Sequence, residues 1–126
     1  LIMRALKKIL IVILPFILIS ESRSHGITEP QHGGIVKVVG DVSLELVKNG
    51  NHVKVYILDD VATDTSGMSG KLKVENDEGK NQYSLTPIKD SGLEALGVSI
   101  PSGSKVLAII VKADGYSKIA GKFQIE

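Results

Sequence analysis

The chain has 126 residues, no cysteine and a formal net charge of +1. Without cysteine it can form neither a disulfide framework nor a thiolate metal site. About 100 residues follow a short hydrophobic start, and this is the usual size of a domain with a single core, so we expect one domain.

The first residues have the features of a secretory leader. Basic residues Arg4, Lys7 and Lys8 precede an unbroken apolar run of 11 residues, 9–19. A helix that spans a bilayer needs about 20 apolar residues, so this run is shorter than a membrane anchor requires. We therefore expect a signal peptide over residues 1–24 and a periplasmic or secreted protein.

Cleavage of this leader changes the charge of the chain. Small residues fit two cleavage positions, before His25 and before Arg23, and the sequence leaves this choice open. Residues 25–126 carry 11 lysines, no arginine and 13 acidic residues, a formal net charge of −2. Because no basic stripe and no arginine remain, we expect no nucleic-acid partner, and no membrane association after cleavage.

From residue 33 onward, apolar and polar residues alternate with a period of two, which indicates β-strands. Eight runs rich in valine, isoleucine and leucine cover residues 35–39, 41–47, 52–58, 70–75, 81–88, 93–100, 105–113 and 118–126. The segment "VLAIIV" (106–111) is apolar on both faces, so we place it inside a sheet. "KNGN" (48–51) predicts a tight hairpin with Asn49 and Gly50 at its centre, because a type I′ turn needs positive φ at both central residues.

The sequence therefore predicts an all-β fold. We expect an N-terminal arm over residues 25–34, followed by an antiparallel β-sandwich of immunoglobulin-like size with seven to eight strands over residues 35–126. No Gly-x-Ser-x-Gly motif is present, and the adjacent Asp59 and Asp60 would point to opposite faces of a strand. We expect no enzymatic activity.

The stretch "SRSHGITEPQHGG" (22–34) contains two of the three histidines. If cleavage occurs before His25, the new α-amino group and Nδ1 of that residue can chelate one metal ion, and His32 can add a second imidazole. If it occurs before Arg23, the amine, two amides and the imidazole of His25 can surround Cu(II) in a square plane. Nitrogen-rich tetragonal coordination suits Cu(II), so both positions predict a copper ligand at His25.

Two further residues are candidate ligands. His52 competes with His32 for the place of the second imidazole. Met68 is the only methionine of residues 25–126, and its thioether is either a soft Cu(I) ligand or a side chain that packs over the end of the core. The alternative for all these residues is that they bind no metal and that His25 and His32 belong to a loose, exposed arm.

The segment "HGGIVKVVGDVSLELVKNGNHVKVYILDD" resembles a group of small exported bacterial proteins, and related segments of periplasmic adaptor proteins, that occur with heavy-metal and copper efflux systems. The matching positions are His32, Gly33, Gly34, Gly40, Asp41, Leu44, Glu45, Leu46, Val47, Val53, Val55, Tyr56, Leu58 and Asp59. His-Gly-Gly and Leu-Glu-Leu-Val are the distinctive parts. A more distant resemblance, to small copper-resistance β-sandwiches whose mature chain begins with histidine, rests on His25 alone.

The resemblance implies an exported β-sandwich with a metal-related function, with His32 as the family histidine and Glu45 as a further matching polar position. We accordingly predict a non-enzymatic accessory protein of metal homeostasis, with copper as the metal and an envelope efflux complex as a partner. The candidate ligands are His25, His32, His52 and Met68. The alternative is a structural or protein-interaction module of the cell envelope that binds no metal.

Overall fold

The computed structural model describes residues 26–126. The predicted signal peptide and His25 lie outside the described residues. Eight strands are present: β1 (Ile35–Val39), β2 (Val42–Asn49), β3 (His52–Leu58), β4 (Ser69–Asn76), β5 (Gly79–Ile88), β6 (Gly92–Leu96), β7 (Lys105–Val111) and β8 (Lys118–Gln124). All paired strands are antiparallel. The predicted all-β antiparallel fold is confirmed. Nowhere in residues 26–126 is there a helix long and apolar enough to cross a membrane.

The strands follow the order β1-β2-β3-β6-β5-β4-β7-β8. Strand β5 belongs to two layers, because residues 79–85 pair with β4 and residues 86–88 pair with β6. The first layer contains β1, β2, β3, β6 and the end of β5. The second layer contains the start of β5, β4, β7 and β8. Since β1 and β8 also approach each other, the sandwich is nearly closed into a barrel.

The hydrophobic core lies between the two layers and is built from alternate residues of each strand. Its fully buried side chains include Leu44, Leu46, Val53, Val55 and Leu93 from the first layer, and Leu72, Val74, Leu85, Val106 and Ile110 from the second. Burial of aliphatic surface contributes about 25 cal/mol per Å², so these residues provide most of the favourable free energy of folding. The intervening residues point outward and determine the chemistry of the two outer faces.

The hairpin between β2 and β3 forms as predicted, but its turn is displaced by one residue. Asn49 pairs with His52, so the two central residues are Gly50 and Asn51. Only Gly50 has positive φ, at 64°, whereas the predicted type I′ turn needs positive φ at both positions. This displacement shifts the pairing of β2 with β3 by two residues, and Glu45 consequently lies opposite Tyr56.

Strand β7 contains the segment that is apolar on both faces. It lies inside the sheet, as predicted, and its neighbours are β4 and β8. Its inward side chains belong to the core. Its outward side chains, Leu107, Ile109 and Val111, are half-buried on the outer face of the second layer.

Two leucines of β6 provide a matched test of the core. Leu93 is 0% exposed and Leu96 is 67% exposed. We expect Leu93→Ala to lower the free energy of unfolding by about 2–5 kcal/mol, because it leaves a cavity between the layers. Leu96→Ala changes it by less than about 0.5 kcal/mol. Urea unfolding followed by circular dichroism measures both, and equal losses would contradict the described layer arrangement.

Candidate functional site

The N-terminal arm, residues 26–34 in the structure, lies across the outer face of the first layer. At its start, the Ser43 hydroxyl donates a hydrogen bond to the carbonyl of Ile27. Gly26 approaches the sheet so closely that a Cβ there would lie 2.7 Å from Cγ1 of Val38. The arm is therefore packed on the sheet from its first described residue.

The other end of the arm is held by a buried carboxylate. Glu45 points outward from β2, yet its side chain is 0% exposed because the arm covers it. Its two oxygens accept hydrogen bonds from the backbone N–H groups of Gln31 at 3.0 Å, His32 at 2.9 Å and Gly34 at 2.8 Å. The His32 ring contributes a fourth donor, with Nδ1 2.9 Å from Oε1. A buried charge is tolerated only with such compensation, and here every contact comes from the arm.

The two glycines of the His-Gly-Gly motif make this geometry possible. Gly33 has a φ of 79°, in the region that favours glycine. This turn aims the N–H groups on either side of it at Glu45. Gly34 has no room for a side chain, because a Cβ would lie 2.2 Å from the carbonyl oxygen of Leu46. The motif is thus explained by backbone conformation and close packing around one carboxylate.

The charge state of Glu45 follows from two opposing effects. Burial raises the pKa of the Glu45 carboxyl. Hydrogen bonds from the His32 ring and from the N–H groups of Gly34, His32 and Gln31 outweigh burial and hold the pKa below its ordinary value of 4.5. The group is therefore ionised at neutral pH.

The orientation of the His32 ring is determined by two contacts. An ionised carboxylate can only accept hydrogen bonds, so Nδ1 of His32 must carry a proton. The lone pair of the neutral ring is then on Nε2. The ring also stacks on Tyr56, with centroids 3.7 Å apart and planes 4° from parallel. The side chain stays 36% exposed, and residues 26–126 give Nε2 no hydrogen-bond partner. A carboxylate on one ring nitrogen and a lone pair on the other is the arrangement typical of metal-binding histidines.

His52 lies elsewhere on the same layer and has its own carboxylate. Its Nε2 is 2.7 Å from Oε1 of Glu94, and its side chain is 37% exposed. On β3, His52 and Tyr56 are four residues apart, which corresponds to about 13 Å along the strand. His32 and His52 are therefore too far apart to bind one metal ion together, and His52 as a rival of His32 for the place beside His25 stays a prediction.

Met68 is not brought to the histidines either. Its side chain is partly buried and packs against the hydrophobic core at the start of β4. This is the packing interpretation that the sequence left open. Within the described part of the chain, no three histidine, aspartate or glutamate side chains converge on a point that could hold a metal ion. His32 and His52 each have one ring nitrogen on a carboxylate, but within residues 26–126 only His32 is also stacked on an aromatic ring. His25 lies outside the described residues.

Sequence reasoning missed the partnership of His32 with Glu45 and Tyr56. Glu45 was noted only as a position that matches the resemblance. A signal was present in the sequence. The glutamate of "LEL" lies between two core leucines, so it must point outward. Tyr56 is the bulky residue on the outward side of the neighbouring strand. Only the register of the hairpin shows that the two residues face each other.

The buried carboxylate predicts a pH-dependent stability. Glu45→Gln is expected to lose about 1–3 kcal/mol of unfolding free energy at neutral pH, because an amide cannot accept all four hydrogen bonds. Since the folded state binds the Glu45 proton more weakly than the unfolded state, the wild type loses this stability as the pH falls below 4.5. The difference in unfolding free energy between the wild type and Glu45→Gln therefore shrinks as the pH falls. Urea unfolding of both proteins across this pH range measures this difference.

The control is Glu29→Gln, at an exposed position of the same arm. It is expected to change the stability at neutral pH by less than about 0.5 kcal/mol. A Glu45→Gln variant as stable as wild type at neutral pH would contradict the described contacts of the arm.

Comparisons of this chain with protein-family models, with curated proteins and with solved structures found no match. The resemblance to metal-efflux proteins therefore stays a prediction from the sequence. Support for a function therefore comes from the chemistry of the site and not from a related protein.

Proposed function

We propose that this protein is a periplasmic metal-binding accessory protein, that it binds Cu(II) through His25 and His32, and that it catalyses no reaction. One observation carries the proposal. The Glu45 carboxylate and the Tyr56 ring hold His32 so that the lone pair of Nε2 is available for coordination. Its function as an accessory of a heavy-metal efflux system is part of the same proposal and rests on the sequence resemblance.

We assign the second ligand position to His25 because of the short length of chain between His25 and Ile27. Ile27 accepts a hydrogen bond from Ser43, and His32 donates one to Glu45. Both acceptor and donor on the sheet side belong to β2, where residues 43 and 45 are about 7 Å apart on one face. His25 precedes Ile27 by two residues, and two residues of extended chain span about 7 Å. In this proposal the chain before Ile27 runs toward His32, so that the His25 side chain and backbone can bind the same metal ion as Nε2 of His32.

The proposed donors are all nitrogens, which favours Cu(II) over the hard cations that prefer oxygen. After cleavage before His25, the donors are the α-amino group and Nδ1 of His25 together with Nε2 of His32. Glu45 binds no metal in this proposal. Its hydrogen bond to Nδ1 makes the opposite nitrogen of His32 a stronger ligand and prevents the ring from rotating.

The test uses protein recovered from the periplasm after expression of the full chain. Intact mass determines the cleavage position, and native mass spectrometry determines the number of bound copper ions. Cu(II) titration followed by the visible absorption band gives the affinity. We expect one Cu(II) ion at micromolar metal, and a loss of affinity of about tenfold or more in His32→Ala.

His52→Ala is the matched control, because His52 is equally exposed and is also paired with a glutamate. It is expected to retain the wild-type affinity. Equal losses in the two variants would show that copper binding is not specific to His32. Absence of bound copper in the wild type would refute the proposal and favour a protein-interaction module.

A further inference from the structure

The outer face of the second layer is strongly basic, although residues 25–126 together carry a net negative charge. Its outward residues include six lysines, here called the lysine face: Lys71, Lys73, Lys80, Lys105, Lys118 and Lys122. All six are exposed. The only outward acidic residue on these four strands is Glu75, and no lysine of the face forms an ion pair within residues 26–126.

This face was not apparent from the sequence. Its lysines occupy alternate positions on four strands, so no basic run occurs in the chain. The expectation that no basic stripe would remain after cleavage was therefore wrong. The antiparallel pairing of β5, β4, β7 and β8 brings the lysines together.

The lysines surround an apolar stripe. Leu107, Ile109 and Val111 follow one another along the outward side of β7, about 7 Å apart, and are half-buried. They lie between the lysines of β4 and those of β8. At the Leu107 end, the face forms a groove of about 960 Å³, which Lys37 of β1 also lines.

We infer that the lysine face is a docking site for an extended, acidic segment of a partner protein. Side chains on one side of an extended peptide repeat about every 7 Å. This is also the repeat of the apolar stripe, and of Lys71 and Lys73 on β4. Aliphatic side chains of such a segment contact the stripe, and the carboxylates of the segment pair with the ammonium groups of the flanking lysines. The long aliphatic parts of these lysine side chains reach around the segment.

The geometry favours a peptide over other anionic partners. One end of the stripe, Leu107, lies in the groove, where the flat surface of a bilayer does not reach it. The four strands of the face carry no arginine and no outward aromatic ring, and the β7–β8 turn adds one exposed ring, Tyr116. The face therefore lacks the bidentate phosphate contacts and the row of stacking surfaces that bind single-stranded nucleic acid. The docking site lies on the opposite layer from His32, so it is independent of copper binding.

The test measures binding of a fluorescein-labelled decapeptide of alternating glutamate and leucine to the periplasmic protein by fluorescence anisotropy. The corresponding lysine–leucine decapeptide is the charge control. We expect the acidic peptide alone to bind, with an affinity that falls about tenfold between about 0.05 M and about 0.3 M salt. Amide chemical-shift changes should map to β4, β7 and β8.

The triple variant Lys73→Gln/Lys105→Gln/Lys122→Gln removes charge from both sides of the stripe without adding bulk, and we expect about tenfold weaker peptide binding. Its matched control, Lys48→Gln/Lys54→Gln/Lys89→Gln, removes the same charge from positions outside the lysine face and should bind as the wild type does. Equal losses in both variants would overturn the inference, because they would show an effect of net charge alone.

Three other outcomes would also overturn it. The first is tighter binding to phosphatidylglycerol vesicles than to the peptide. The second is tighter binding to an oligothymidylate. The third is self-association that the triple lysine variant abolishes, which would identify the occupant as a second copy of this chain.

Discussion

The arrangement of the first layer's outer face depends on one buried carboxylate. Glu45 has to point outward, because the leucines on either side of it fill the core. An outward glutamate would ordinarily be solvated, but this one is covered by the arm and receives four hydrogen bonds from it. The desolvation of the charge is thus offset by contacts that also determine the path of the arm. Removal of the carboxylate would leave three N–H groups and a ring nitrogen without their acceptor.

The same carboxylate connects the fold with the orientation of His32. It selects the ring tautomer of His32, and the Tyr56 ring opposite it on β3 provides the surface on which the imidazole stacks. A histidine on an otherwise unpaired arm would sample many orientations, and ordering it on binding would cost entropy. In the folded protein the ring is already ordered, so this entropy is not lost again on binding. The two outer faces consequently differ: one presents the His32 ring held between a carboxylate and a tyrosine, and the other presents six exposed lysines.

The sequence was sufficient for elements that depend on local pattern and insufficient for those that depend on register. Alternation of polar and apolar residues is visible within each strand, so the eight strands and their antiparallel arrangement were predictable. The pairing of Glu45 with Tyr56 was not, because moving the turn by one residue, to Gly50 and Asn51, changes every partner across the hairpin. The lysine face was missed for a related reason, since its residues meet only through the pairing of four strands. His52 shows the same dependence: its residue type makes it a candidate ligand, and only the strand pairing shows that its position on β3 separates it from His32.

The division of β5 between the layers has a consequence for how the chain folds. The hairpins β2–β3, β4–β5 and β7–β8 join strands that are close in sequence and can form early. The pairings β3–β6 and β4–β7 join distant segments, and each requires a long stretch of chain to be ordered first. Because β5 is the strand at which the two layers meet, ordering it against β4 also positions its last residues beside β6. We therefore expect the two layers to unfold together in one cooperative transition.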